Sequence, residues 1–296
     1  MSKSLQVGST TFEWGSQTYV MGIINVTPDS FSGDGLLSKR EWVKRAIEQA
    51  VSFAEEGAHL LDIGGESTRP GAKVVDTGEE IERVVPVIEA LAAQVNLPIS
   101  VDTYKADVAA AALDAGAHMV NDVWGLKMDP AMASLCAQRN VPVIVMHNRS
   151  HPRNAVQEER LGGRYQGTAY DDLLVDVANE LQQSIDIAKT AGIPDKHIII
   201  DPGIGFGKTV EQNLTLLNHL DKLKALGYPL LLGTSNKSLI GYTLDLPPEE
   251  RVEGTAATVA IGIERGADII RVHQVKEMSR VARMTDAIVR TAKTSP

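Results

Sequence analysis

Eight short, mainly apolar runs recur along the chain, at residues 20–24, 60–63, 99–101, 119–120, 143–146, 198–200, 230–232 and 269–272. Segments with helical spacing of apolar residues lie between them, for instance at 41–55, 79–94, 106–115, 170–190, 212–226, 252–264 and 275–289. A strand that is apolar on both faces must be covered on both, which is the condition of a parallel strand between helices. The repeated strand–helix unit therefore predicts an α/β protein with a parallel sheet. An open doubly wound sheet would carry a glycine fingerprint directly after its first strand. Here the first run leads into Asn25-Val26-Thr27-Pro28-Asp29-Ser30-Phe31, with no glycine before Gly33. Eight units in 296 residues suit one closed (β/α)8 TIM barrel instead. The expected architecture is a single TIM-barrel domain over 1–296, with 1–18 as an N-terminal hairpin extension. Residues 5–19 read as a short polar hairpin with Gly15 at its turn, plugging the bottom of the barrel and carrying no chemistry.

Composition narrows the partners. The 38 acidic residues outnumber the 29 basic ones and give a formal charge of −9, which opposes attraction to nucleic acid or anionic lipid. Aromatic residues are only 4%, too few for base-stacking platforms. The one cysteine, Cys136, excludes an intrachain disulfide, a thiolate zinc site and a redox dithiol, and fits a reducing cytoplasm. Residues 1–11 have no apolar segment of the secretory kind, and no apolar stretch approaches the roughly 20 residues that span a bilayer. A soluble, cytoplasmic protein acting on small molecules is expected, with no nucleic acid or membrane as partner.

The polar residues mark one end of the barrel. Stretches 27–38, 66–78 and 148–168 are too polar and glycine-rich for core elements, and they follow the first, second and fifth strands. Loops after strands gather at the C-terminal face, where active sites of this fold sit. Each strand also ends in polar residues: Asn25; Asp62 and Glu66; Asp102; Asn121 with Asp122; His147; Asp201; Ser235 with Lys237; Arg271 with His273. A single such residue would be an ordinary helix cap; eight strand ends together point to one mouth. Asp102, Asn121 and Asp201 suit a flat heterocycle with amino and imino donors, whereas Arg69, Lys237, Arg271 and His273 suit a phosphate or carboxylate. Arg271 and His273, one residue apart in a strand, point the same way and form a two-pronged anion site. The alternative is that Arg271 pairs with a carboxylate such as Asp62 and that His273 caps the next helix.

Two strings imitate other motifs. Pro202-Gly203-Ile204-Gly205-Phe206-Gly207-Lys208-Thr209 approaches a P-loop but has Pro202 at the first glycine position, and Lys208 stands where a dinucleotide fingerprint needs its third glycine. A turn that brings backbone close to a ligand under Phe206 is the simpler reading. His147 has no second histidine at metal spacing, so a hydrogen-bonded histidine is expected in preference to a zinc ligand.

The sequence resembles the bacterial dihydropteroate synthases along nearly its whole length. The resemblance is carried by the run 22–35 around Asn25-Val26-Thr27-Pro28-Asp29-Ser30-Phe31, by Asp62-Ile63-Gly64-Gly65-Glu66-Ser67-Thr68-Arg69-Pro70-Gly71 and by Ser100-Val101-Asp102-Thr103. It continues through Asn121-Asp122, Val145-Met146-His147, Asp201-Pro202-Gly203-Ile204-Gly205-Phe206-Gly207-Lys208, Gly233-Thr234-Ser235 with Lys237, and Arg271-Val272-His273. The family is a TIM barrel, in agreement with the strand count.

The resemblance implies condensation of 6-hydroxymethyl-7,8-dihydropterin pyrophosphate with p-aminobenzoate, giving 7,8-dihydropteroate and pyrophosphate. It implies Mg2+ as cofactor and a homodimer formed through the later helices, where the small residues Gly254, Ala256 and Ala257 would either pack against a partner or face the barrel. By the same carry-over Asp102, Asn121 and Asp201 hold the pterin edge, Lys237 donates to its ring, Val123 and Met146 line its faces and Phe206 lies beside it. Asn25 binds Mg2+ and, with Thr68, Arg69, Arg271 and His273, the pyrophosphate. Phe31, Arg69, Pro70, Phe206, Lys237 and Ser238 border p-aminobenzoate, and Phe31 and Asp34 share the covering loops with Thr68, Arg69 and Pro70. The implied catalytic set is Asp102, Asp201, Lys237 and Arg271. The chain departs from the family at Asn236, where Arg is usual, and at Gln274, where Asp is usual. Ser-Asn also occurs in pterin-binding corrinoid methyltransferases, so a methyltetrahydrofolate methyltransferase-like domain is one alternative and a low-activity pterin-binding paralogue another. Lys237, Arg271 and His273 argue for a pyrophosphate substrate over methyl transfer.

Overall fold

The structure is a computed structural model and describes residues 3–27, 39–151, 154–158 and 160–290. Two antiparallel strands, β1 (Ser4–Val7) and β2 (Thr10–Glu13), precede the main sheet. That sheet contains β3 (Tyr19–Asn25), β4 (Leu60–Gly64), β5 (Ile99–Asp102), β6 (Met119–Asp122), β7 (Val143–Met146), β10 (Ile198–Asp201), β11 (Leu231–Leu232) and β12 (Ile269–Val272). The order is β10-β7-β6-β5-β4-β3-β12-β11, with every pair parallel. A parallel bridge from Ile200 to Leu230, beside a bond from Ile200 N to Pro229 O of 2.9 Å, joins the two ends. The protein is a TIM barrel.

Ten helices are described: α1 (Lys39–Glu56), α2 (Thr77–Ala92), α3 (Ala106–Asp114), α4 (Pro130–Arg139), α5 (Leu173–Thr190), α6 (Val210–Asn218), α7 (Leu220–Lys224), α8 (Ser238–Leu244), α9 (Val252–Glu264) and α10 (Val275–Arg290). The segment expected as one helix over 212–226 is two, α6 and α7, because His219 leaves the helical region at φ −120° and ψ 29°. Local chemistry starts several of them. Asp172 caps α5 through Leu174 N and Val175 N, and Thr209 and Gln212 form a reciprocal capping box at α6.

Strand parity explains why the runs are mainly apolar on both faces. Side chains alternate across a strand, and here one set faces the barrel interior while the other faces the helices. Met21, Leu60, Met119, Ile144, Ile199, Leu231 and Ile269 form an inner cluster, whereas Val20, Leu61, Ile63, Val120, Val143, Val145, Ile200 and Ile270 belong to the layer under the helices. Leu5, Val7 and Phe12 of the β1–β2 hairpin join the inner cluster at 2%, 3% and 1% exposure, so the hairpin does close the barrel bottom. Two expectations about it need correction. The hairpin is amphipathic rather than simply polar, with Phe12 contributing about 1.5–3 kcal/mol by burial. Its turn lies between Val7 and Thr10, at Gly8 and Ser9, not at Gly15.

The stretch 148–168 also differs from the expected loop. It contains a second antiparallel hairpin, β8 (Ala155–Glu158) and β9 (Gly162–Tyr165), which stands over the barrel mouth. Its strands are polar and short, so no apolar period announces them. Gly254 packs against the chain's own α8, where a Cβ would strike Ile240 Cγ2.

Candidate active site

Following parity up each strand, the inner face turns from apolar to polar. Leu60 gives way to Asp62, Met119 to Asn121, Ile199 to Asp201 and Ile269 to Arg271, while on β5 both Ser100 and Asp102 are polar. Above them opens a cavity of about 620 Å3 at the C-terminal end of the barrel. Its floor and walls include Asn25, Asp102, Asn121, Val123, Met146, Asp201, Phe206, Lys237, Ser238, Arg271 and His273, with Thr68, Arg69 and Pro70 on the rim. All the described residues expected at the site are thus brought together. Phe31 and Asp34 lie outside the described residues.

Three strand-end residues do not line the cavity. Asp122 and His147 have the parity of the outer layer. Asp122 accepts bonds from Trp124 N (2.8 Å) and Leu126 N (2.9 Å), so it fixes the turn after β6. His147 lies 2.9 Å from Lys208 Nζ through Nδ1, and its Nε2 is 3.1 Å from Glu180 Oε2 but off the line of a hydrogen bond. Burial and the neighbouring Lys208 charge hold His147 far below the usual histidine range. It is a core histidine, as expected. Asp62 has inner parity but sits one layer too deep, at 0% exposure, beneath Arg271 and Asn121.

An ion-pair network forms the floor. Arg271 donates through Nε to Asp62 Oδ2 (2.5 Å) and through Nη2 to Asp102 Oδ2 (2.6 Å), and Asn121 Nδ2 donates to the same Asp62 oxygen (3.0 Å). The alternative pairing of Arg271 with Asp62 is therefore present, while Arg271 still borders the cavity. Burial pushes Asp102 up to about 7 against the pull of Arg271, with Asp62 adding repulsion. Asp201 is likewise raised by burial, although Lys237 opposes the shift. Lys237 falls to about 8 through burial, countered by Asp201. Its ammonium bonds to Ile204 O and lies 4.5 Å from the Phe206 ring centroid. His273 is pushed down to about 3 by burial and by Arg271, and Ser235 Oγ, 2.9 Å from its Nδ1, fixes the ring.

The turn after β10 explains the near-miss glycine string. Asp201 Oδ1 accepts from Gly203 N at 2.7 Å. Gly203 and Gly207 have φ of 66° and 69°, and side chains there would collide with His147 O and with the Arg149 backbone. Lys208 turns into the protein, buried and away from the cavity lining. Its Nζ bonds to Gly203 O (2.9 Å) and Phe206 O (3.1 Å), which pins the turn carrying Phe206. On the opposite rim Lys105 bridges Glu66 (2.5 Å) and Glu80 (2.6 Å) and bonds to Val75 O (2.6 Å), which ties down the 66–78 loop.

A profile of pterin-binding enzymes matches residues 21–273. The chain belongs to the pterin-binding enzyme family. It is 50% identical over 287 residues to the dihydropteroate synthase of Clostridium beijerinckii, a match covering 97% of this chain and 100% of that one. Among solved structures, a dihydropteroate synthase from Clostridium difficile in the presence of pteroic acid is 48% identical, with a TM-score of 0.85 over 94% of this chain and 99% of that chain. The Xanthomonas albilineans dihydropteroate synthase with 4-aminobenzoic acid is 40% identical, with a TM-score of 0.86 over the whole of both chains.

Within this pterin-binding enzyme the two unusual residues have structural settings. Asn236 adopts φ 55°, a left-handed conformation that asparagine tolerates better than most side chains. Its carbonyl accepts from Arg251 Nη1 at 2.9 Å. Gln274 accepts from Ser235 Oγ through Oε1 at 3.4 Å, so it joins the group that orients His273. Sequence reading offered Asp62 only as the alternative partner of Arg271, and it missed Lys208 as the pin of the turn and Tyr165 on the cavity wall. Parity along β4 carried the signal for Asp62.

Proposed function

We propose that the protein catalyses the dihydropteroate synthase reaction, joining 6-hydroxymethyl-7,8-dihydropterin pyrophosphate to p-aminobenzoate. The observation that carries this reading is a single cavity lined both by the acceptors Asp102, Asn121 and Asp201 and by the donors Arg69, Lys237, Arg271 and His273. The acceptors match the donor edge of a pterin, and the donors match a diphosphate. In the reaction the bond from the pterin methylene to the diphosphate oxygen breaks, and the electron pair leaves with the diphosphate. The resulting cation is conjugated with the pterin ring. The arylamine nitrogen then attacks the methylene, and the new ammonium loses a proton.

The protein supplies charge and position more than acid or base. Asp102 and Asp201 stabilise the pterin cation from below. Arg271 spends Nε and Nη2 on carboxylates, which leaves Nη1 for a phosphoryl oxygen. With Ser235 Oγ donating to its Nδ1 in place of Gln274, neutral His273 carries its proton on Nε2 and donates it to the same group. Lys237 stands between Asp201 and Phe206 and donates to the pterin ring, while Phe206, Pro70, Arg69 and Ser238 surround the arylamine. Val123 and Met146, at 6% and 4% exposure, pack on the pterin faces and keep water away.

A Mg2+ ion brought in with the diphosphate fits the donor set. Asn25 offers one hard oxygen beside the cavity, and among the described residues no group of three His, Cys, Asp or Glu side chains could hold an ion alone. That is the environment of a metal coordinated chiefly by phosphate oxygens and water. When bound, the ion would neutralise charge on the leaving diphosphate.

The homodimer belongs to this proposal as well, through α9 and α10, where Ile261, Met284 and Ile288 are 46%, 63% and 62% exposed. Among the described residues no helix is long and apolar enough to cross a membrane; with Cys136 buried as a free thiol, this supports a cytoplasmic site of action. The deciding experiment incubates the purified protein with the pterin pyrophosphate, p-aminobenzoate and Mg2+. Stoichiometric diphosphate and dihydropteroate are expected. Absence of both products would overturn the reading.

A further inference from the structure

The β8–β9 hairpin has no place in the chemistry described so far, yet it borders the cavity through Leu161, Gly162, Gly163 and Tyr165. It is fastened on two sides. Towards the 66–78 loop, Tyr165 Oη donates to Thr68 O at 3.1 Å and the Gln157 side-chain amide donates to Pro70 O. Towards the opposite rim, Arg251 Nη2 donates to Leu161 O at 2.8 Å, and Arg160 pairs with Asp245. Arg251 is 2% exposed and also bonds to Asn236 O and Leu246 O, so this second anchor rests on the backbone next to Lys237. The hairpin thus spans the mouth between the loop bearing Thr68, Arg69 and Pro70 and the segment bearing Asn236 and Lys237.

Tyr165 is the residue through which the hairpin meets the second-substrate region. It is 9% exposed, and its ring lies 6.0 Å from that of Phe206, tilted by 30°. Phe206 in turn lies under the Lys237 ammonium. A flat arylamine bordered by Phe206, Pro70 and Lys237 would have the Tyr165 ring on its boundary.

We propose that Tyr165 is a specificity-determining residue of this protein: its ring sets the width of the arylamine subsite, and its hydroxyl holds the Thr68 backbone so that Arg69 and Pro70 stand at the correct height. The proposal rests on the dihydropteroate synthase reading of the site. Because the tyrosine borders the arylamine and not the pterin ring, its removal should act on the second substrate and, through Arg69, on the diphosphate, but not on the pterin ring itself. Because the hydroxyl and the ring have separate duties, two substitutions separate them. Loss of one neutral hydrogen bond corresponds to about a 2- to 10-fold change in an equilibrium constant.

The test is steady-state kinetics of the full chain with Tyr165→Phe and Tyr165→Ala, together with calorimetric titration of the pterin lacking its diphosphate. Tyr165→Phe is expected to raise KM for p-aminobenzoate about 2- to 10-fold with kcat and pterin affinity unchanged. Tyr165→Ala is expected to raise it further and to shift selectivity towards p-aminobenzoates bearing a substituent ortho to the amine. Unchanged KM and unchanged selectivity in both variants would overturn the proposal while leaving the reaction intact. A fall in pterin affinity matching the rise in KM would also overturn it, since that is the mark of a structural role. If the unsubstituted protein forms no dihydropteroate, the functional reading fails, and this proposal with it.

Discussion

Arg271→Ala tests whether the floor network is an anion site alone or a support for the pterin subsite too. The substitution leaves Asp62, at 0% side-chain exposure, and Asp102, at 9%, buried without their shared counter-ion. Breaking a buried pair by removing one partner costs about 3–5 kcal/mol. The Arg271 side chain keeps 20% exposure, so the lower end, about 3 kcal/mol, applies. At about 2–4 °C per kcal/mol for a chain of this size, Tm falls by roughly 6–12 °C. Binding suffers by a second route. Burial already pushes Asp102 up to about 7, and Arg271 is the largest influence holding it down. Without the arginine Asp102 is protonated near neutral pH and loses its charge-assisted bond to the ligand, worth about 1.5–3 kcal/mol. Pterin lacking the diphosphate should therefore bind about 10- to 150-fold more weakly, and pterin pyrophosphate should lose that much and more. Calorimetry with both ligands, beside a thermal melt, reads all three quantities. Unchanged pterin affinity with unchanged Tm would refute the network argument and leave Arg271 as a diphosphate contact only.

Asp201→Ala should leave the protein folded but without measurable pterin binding, and the orphaned Gly203 N should lower stability by about 1–3 kcal/mol; calorimetry showing unchanged affinity would remove Asp201 from the site. The raised pKa of Asp102 makes pterin affinity pH-dependent: donors on the ligand need the carboxylate, so affinity is flat above about pH 7 and falls by up to about tenfold per unit below it. Constant affinity from about pH 8 to pH 5 would show that Asp102 does not meet the ligand's donors. p-Aminobenzoate should bind tightly only after the pterin pyrophosphate, because the first substrate completes its pocket; equal affinity for the free protein and the protein saturated with pterin and diphosphate would contradict that order.

The sequence by itself determined the barrel. Runs such as 143–146 and 198–200, apolar on both faces, admit few arrangements other than parallel strands packed inside and out, and eight mainly apolar runs separated by amphipathic segments close a ring. It also placed Asp102, Asn121, Asp201, Lys237, Arg271 and His273 at one mouth, since strand ends share a face whatever their distance along the chain. Depth and partnership were beyond it. Asp62, Asp122 and His147 look like site residues in the sequence, but one lies a layer below the cavity and two face the helices, which depends on strand parity and on the height at which each strand enters the ring. Likewise the sequence discounts Lys208 as a P-loop lysine but gives it no other role, and only the turn, with Gly203 and Gly207 at positive φ, shows it folded back onto its own backbone. The β8–β9 hairpin was equally hidden, because its strands are held by backbone pairing and by bonds to Thr68, Pro70 and Arg251 rather than by an apolar face. Periodicity reports which side chains must leave water, and it was enough for the core. Polar contacts between segments about 90 residues apart leave no period in a sequence, so only the tertiary structure could decide them.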